Sequence, residues 1–178
     1  MKDNPGKTLA LLKTGLFTVI VPGTVAFYIP LALALPERRW AGWPAAAWQY
    51  LGLPFLLSGT AIYLWCAWDF AVTGLGTPAP IDAPRVLVVK GLYRFVRNPM
   101  YVGVLSVLLG WSLWFASKRL FLYFAAVGLA VHLFTVSYEE PHLRKMFGPQ
   151  YENYCRRVNR WLPRFSRANG SAHRDSLD

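Results

Sequence analysis

The stretch from Gly91 to Gly103, reading GLYRFVRNPMYVG, sets Arg94, Arg97 and Pro99, with Lys90 just before them, against the start of an apolar run. About one helical hairpin later, Glu139 and Glu140 emerge from the far end of that run. Arginines bind carboxylates and phosphates, while carboxylates face cations or accept protons. A hairpin that only crossed a bilayer would need a few snorkelling cations at its ends. Here charges of both signs, two prolines and the tyrosines Tyr93, Tyr101, Tyr151 and Tyr154 gather at one membrane face, which reads as a site.

The elements that must position these groups are membrane helices. Hydrophobic residues make up 54% of the 178-residue chain and charged residues 16%, and the mean hydropathy is positive. That balance excludes an ordinary soluble domain. Spanning takes roughly 20 apolar residues, and four stretches qualify or nearly do: Leu9 to Leu35, Trp48 to Val72, Met100 to Ala116, and Leu120 to Tyr138. The expected fold is therefore all-α and polytopic, with about four transmembrane helices. The first run is too long for the apolar core of a cleaved signal peptide. Its Pro22 and Pro30 predict a kinked helix whose freed carbonyls are satisfied by neighbours.

With four spans, 15 of the 19 Lys and Arg residues fall on the side of the termini and of the Thr73 to Pro99 loop. The other side holds Arg38, Arg39, Lys118 and Arg119. The expectation is an integral membrane protein with both termini and the site in the cytoplasm. The net charge of +10 follows from this topology and from attraction to anionic membrane lipids, so nucleic acid is not an expected partner. Cys66 and Cys155 lie far apart on a reducing side and imply no disulfide. The histidines lack a close-spaced set of partners, and no metal site is expected.

Residues 1–165 read as a single integral-membrane unit and 166–178 as a disordered tail. Pro99 suits the first position of the third span, with Asn98 as its cap. Ser117-Lys-Arg119 forms a tight turn into the fourth span. That helix continues past the membrane until Gly148-Pro149 stops it. Beyond, Tyr151, Tyr154, Val158 and Trp161 keep helical spacing between Arg156, Arg157 and Arg160, predicting a C-terminal amphipathic helix. This interfacial helix lies on the membrane surface or closes over the site, and Trp161-Leu-Pro163 ends it.

Taken in order, Arg97-Asn-Pro-Met-Tyr101-Val-Gly103, Glu139-Glu140-Pro-His-Leu143, Phe147-Gly148-Pro-Gln-Tyr151-Glu-Asn-Tyr154 and Trp161-Leu-Pro163 resemble the isoprenylcysteine carboxyl methyltransferase family. The wider superfamily includes phospholipid N-methyltransferases, which share an Arg-His-Pro-x-Tyr-x-Gly segment and a Glu-Glu pair. The resemblance covers Gly74 to Pro163 and implies S-adenosylmethionine as methyl donor, bound at the cytosolic face. Its sulfonium and ammonium suit Glu139 or Glu140 and the rings of Tyr101, Tyr151 and Tyr154. Its carboxylate suits Arg or the N–H groups at the Pro99 helix start. Gly91 and Gly103 allow close backbone approach, and the resemblance extends the cofactor-binding set to Tyr93, Asn98, Leu162 and Pro163. Asn98 departs from the family's His; Asn keeps a donor and an acceptor but does not titrate, which favours an orienting role.

Methyl transfer from a sulfonium needs alignment and exclusion of water more than an acid. A carboxylate acceptor needs only a cation, Arg97 or Arg157; an amine or thiol must lose a proton, and Glu140 is the nearest base. The acceptor implied is lipophilic: a prenylated cysteine carboxylate, a phospholipid amine or a small thiol. Two other functions stay open, an NADPH-dependent reductase of a sterol-like lipid and a non-enzymatic membrane scaffold retaining the fold. Glu140 and Arg144 also have the spacing of an ordinary helix ion pair. His132 reads as a neutral residue hydrogen-bonded between helices, and Asp69 as either near the site or paired with loop arginines. Tyr63, Trp65, Trp68, Trp111 and Trp114 read as interfacial anchors.

Overall fold

A computed structural model describes residues 5–34, 46–73, 87 and 89–163. The expected tail from Ser166, and most of the loop between Thr73 and Lys90, lie outside the described residues. Helix α1 (Pro5–Gly23) runs through a π turn (Thr24–Tyr28) into α2 (Ile29–Ala34). A 3₁₀ turn (Ala47–Leu51) opens α3 (Gly52–Thr73), and a second (Gly91–Arg94) precedes α4 (Pro99–Trp114). Helix α5 (Lys118–Phe134) passes through a π turn (Thr135–Glu139) into α6 (Glu140–Phe147), followed by α7 (Pro149–Arg157).

Thr14–Ala34, Ala47–Asp69 and Lys118–Phe147 are each long and apolar enough to cross a membrane, and Pro99–Trp114 is a shorter apolar helix. The chain is thus an all-α membrane protein whose apolar helices coincide with the four expected stretches. At 16 residues and 1.5 Å per residue, α4 is about 24 Å long, short of a ~30 Å hydrocarbon core. Its neighbours shield it: Gly103, Val107, Leu108, Gly110 and Ser112 are all buried.

The α3–α4 joint is made by glycine. A Cβ on Gly59 would lie 2.6 Å from the Gly103 carbonyl oxygen, and one on Gly103 would lie 2.8 Å from that of Gly59. Gly52 and Gly110 repeat the relationship at 2.5 and 2.8 Å. Two antiparallel backbones therefore touch directly, the packing that small residues permit between membrane helices. Gly103 thus serves this joint.

The first helix shows how its prolines are accommodated. Pro30 has no N–H to give to the carbonyls four and five residues back, which belong to Ala26 and Val25. Trp111 Nε1 donates to the Ala26 oxygen at 2.9 Å, and the Tyr123 hydroxyl donates to the Val25 oxygen at 3.1 Å. Trp111 is thus an interhelical donor rather than the simple anchor expected of it. Beside this π turn, an apolar cavity of about 300 Å³ opens among α1, α3 and α4, with Thr18, Ala26, Tyr63, Val104 and Val107 in its walls.

At the other end of the helices the chain folds back. Gly148, at φ +49°, turns α6 into α7, and Tyr151, Tyr154 and Val158 pack with Leu87, Leu143, Phe147 and Cys155. Helix α7 stops at Arg157 because Val158 is extended, which corrects the expected continuation to Trp161. The extended residues instead bridge in parallel to the segment before α4 through Val96 and Asn159.

Candidate functional site

Three distant segments converge below α4. The Arg97 backbone N–H donates to the Asn159 carbonyl at 2.9 Å, bringing the basic segment and the C-terminal strap side by side. The Tyr154 hydroxyl donates to the Tyr93 carbonyl at 2.7 Å, a second tie between them. Asn98 occupies the N-cap position of α4 but its side chain does not cap; its amide nitrogen is 3.4 Å from the Arg160 carbonyl. The expected cap is therefore replaced by a weak link to the strap.

Glu140 is the hub. Its side chain is only 5% exposed, and Arg97 Nη1 lies 3.1 Å from Oε1. Arg160 grips both oxygens, Nε to Oε1 at 2.6 Å and Nη2 to Oε2 at 2.9 Å. Arg144 stands 3.9 Å away, the i,i+4 pairing anticipated from the sequence, while also holding Glu152 at 3.1 Å. A buried carboxylate is tolerable when guanidiniums satisfy both of its oxygens. So clamped, both carboxylate oxygens of Glu140 are occupied by arginines. Arg157 is exposed on α7; Arg160, beyond the helix end at Val158, is the arginine of this segment that meets Glu140.

Glu139 faces a different environment. The π turn sets it opposite α4, where the Tyr101 hydroxyl donates to Oε2 at 3.2 Å. A π turn in an otherwise regular helix is a common way to aim a side chain at a functional site. The two neighbouring carboxylates are thus divided: Glu140 is consumed by arginines, and Glu139 keeps a neutral donor.

Burial holds the phenols of Tyr93, Tyr151 and Tyr154 above the ordinary tyrosine range, so each is a neutral donor. Tyr93 lies with Cys66 in a small core against Ile62, Leu92 and Met100, and the Glu139 carboxylate adds to the rise of its pKa. Gly91 has φ +53°, and a Cβ there would collide with Asp69 Oδ2. Arg97 Nη1 also approaches Cys155 Sγ at 2.9 Å, a neighbour the sequence did not single out. Leu162 is 73% exposed and Pro163 is exposed, so these two do not join the cluster. His132 accepts from Trp161 Nε1 at 3.3 Å in an exposed position, a hydrogen-bonded histidine as expected but tied to the strap.

The structure brings together Gly91, Tyr93, Arg97, Asn98, Tyr101, Glu139, Glu140, Tyr151 and Tyr154 from the sequence-derived set. It leaves Gly103, Arg157, Leu162 and Pro163 aside. Among the described residues, Asp69 Oδ2, Arg97 Nε and Thr135 Oγ1 are buried without a hydrogen-bond partner. Asp69 Oδ2 and Arg97 Nε thus leave one charged acceptor and one charged donor open, the two charges that a ligand bearing both an ammonium and a carboxylate would call for; Thr14 Oγ1, in the first helix, is unpartnered as well.

A family model described as phospholipid methyltransferase matches residues 48–150. An uncharacterized protein of Haemophilus influenzae is 35% identical over 63 residues, 35% of this chain and all of that protein. A delta(14)-sterol reductase of Gallus gallus is 34% identical over 82 residues, 44% of this chain and 13% of the reductase. Protein-S-isoprenylcysteine O-methyltransferase B of Arabidopsis thaliana is 32% identical over 77 residues, 43% of this chain and 39% of that enzyme. The match thus spans only a minor part of either named enzyme, and no solved structure matches the chain.

Proposed function

Because this chain belongs to the phospholipid methyltransferase family, we propose that it is an integral-membrane, S-adenosylmethionine-dependent methyltransferase. Its acceptor is lipophilic and reaches the site at the cytosolic membrane face. The observation that carries this reading is the division of labour between Glu139, paired only with Tyr101, and Glu140, locked among arginines.

When bound, the cofactor supplies an electrophilic methyl group on a sulfonium. The chain's own task is to hold two partners in line and keep water out. Glu139 offers negative charge to the cationic part of the donor, and Tyr101 fixes the orientation of that carboxylate. Arg97, held by Glu140 and by the backbone of Asn159, offers Nε to a carboxylate, either that of the donor or that of the acceptor. A carboxylate acceptor then needs no base. An amine or thiol acceptor loses its proton to Glu139, the carboxylate not consumed by arginines.

The prenylcysteine methyltransferase match favours a carboxylate acceptor, and the family description a phospholipid amine. The sterol reductase match supports a second reading, an NADPH-dependent reductase. Titrating detergent-purified protein with S-adenosylhomocysteine and with NADPH tests both. Saturable binding of the first alone is expected; binding of NADPH alone favours the reductase, and binding of neither favours a scaffold.

A further inference from the structure

The geometry points to Asp69 as a cofactor-binding residue that takes an N–H or O–H donor of the bound nucleoside ligand. This assignment rests on the methyltransferase reading. Asp69 is near the cytoplasmic end of α3, outside the segments on which the family resemblance was drawn, yet the fold carries it to the start of the basic segment. Its Oδ2 is buried and finds no partner among the described residues. Leaving a carboxylate oxygen out of water without a donor is costly, so its retention implies a donor supplied from elsewhere.

The surroundings are arranged to keep that oxygen available. Gly91 is in the left-handed region at φ +53°, and any side chain there would overlap Asp69 Oδ2. The position thus needs glycine twice over, for its backbone and for the carboxylate's room. Trp65 Nε1 lies 3.4 Å from where that Cβ would stand, adding a polar edge to the same spot. The 3₁₀ turn that begins at Gly91 then places Tyr93 against Cys66, where the phenol feels both Cys66 and Glu139. Asp69 therefore meets this short turn at Gly91, and the charge of Glu139 is felt two residues on, at Tyr93. The arginines Arg97, Arg144 and Arg160 pair with Glu140, and Asp69 Oδ2 is bonded to none of them.

Three groups of the cofactor have the required chemistry: the amino-acid ammonium, the ribose hydroxyls and the adenine amino group. Titration of wild type, Asp69→Asn and Tyr101→Phe with S-adenosylhomocysteine and with 5′-methylthioadenosine, which lacks the amino-acid arm, separates the first from the other two. Asp69→Asn is expected to weaken S-adenosylhomocysteine about tenfold or more, the usual consequence of losing a charged hydrogen bond. Loss confined to that ligand assigns the ammonium; equal loss for both ligands assigns the nucleoside part, the ribose hydroxyls or the adenine amino group. Unchanged affinity in Asp69→Asn, while Tyr101→Phe weakens binding, overturns the Asp69 assignment and leaves the functional reading standing. Wild-type protein that binds neither nucleoside overturns both. Asp69→Glu, which keeps the charge, provides the same comparison should the Asn variant fail to fold, with displaced geometry expected to cost affinity and unchanged affinity overturning the assignment.

Discussion

Arg160 reaches back to Glu140 with two hydrogen bonds of 2.6 and 2.9 Å, and this fork fastens the C-terminal strap to the end of the fourth membrane helix. It reaches Glu140 only because Val158 is extended; a continued helix would have carried the guanidinium elsewhere.

Arg160→Ala is expected to loosen the strap and lower stability by about 1.5–3 kcal/mol, the range for a hydrogen bond to a charged group. Limited trypsin digestion should then cut faster after Arg157, whereas Arg157→Ala should leave stability within about 0.5 kcal/mol. Equal protection of Arg160→Ala and wild type would show that the strap is held by other contacts.

Tyr101→Phe removes the donor to Glu139 and nothing of the ring. Affinity for S-adenosylhomocysteine is expected to fall about three- to tenfold, in keeping with the loss of one hydrogen bond of roughly 1 kcal/mol. Calorimetry on the detergent-solubilised protein measures it, with unaltered binding placing the Glu139 carboxylate outside the ligand's reach.

Gly59→Ala should be among the most damaging single-methyl additions, because its Cβ would sit 2.6 Å from the Gly103 oxygen, a backbone atom that cannot rotate away. The expected loss is about 2 kcal/mol or more. Gly128→Ala is the internal contrast: its nearest neighbour, Leu105 Cδ2, is 3.6 Å away, so the helix should tolerate or gain from the methyl. Thermal unfolding of both variants decides whether the backbone contact is the cause.

Trp111→Phe keeps an aromatic ring but deletes the donor to the Ala26 carbonyl, together with part of the indole. A cost of about 0.6–1.7 kcal/mol is expected, the measured span for polar contacts between membrane helices. Pairing it with Pro30→Ala, which restores an N–H of the helix itself, should recover part of the loss; no recovery would mean that the proline is not what frees that oxygen.

Reporter fusions after Arg38 and after Pro84 should report opposite sides of the membrane, the second cytoplasmic, since the cations divide so unevenly. Both reporters on one side would remove the basis for a cytosolic site.

The helices were legible because apolar runs of membrane length admit few alternatives, and Pro99 and Gly148-Pro149 punctuate them in ways the backbone obeys. The gathering of Arg97, Tyr101, Glu139 and Glu140 was legible from the ordered motif. Which arginine meets Glu140 was not: Arg156, Arg157 and Arg160 are equivalent in type, and only the break at Val158 turns the last of them inward. The split between Glu139 and Glu140 was equally hidden, because it depends on a π turn that no residue in Thr135–Glu139 announces. Trp111 looked like a belt residue because its partner is a carbonyl freed by a proline many residues earlier. Asn98 looked like a cap because its type and position were right, yet its amide is drawn toward Arg160.

Helices α3 and α4 touch along their bare backbones at Gly52, Gly59, Gly103 and Gly110, so at these points they behave as one stiff plank. Space for a hydrocarbon guest has to come from the opposite wall. That wall is α1, where the π turn and Pro22 and Pro30 already interrupt the ladder and where the cavity lies. If the acceptor proposed above lodges a hydrocarbon tail there, fitting a bulkier or slimmer one is a matter of how far α1 bends, while Tyr101, on α4, keeps its place.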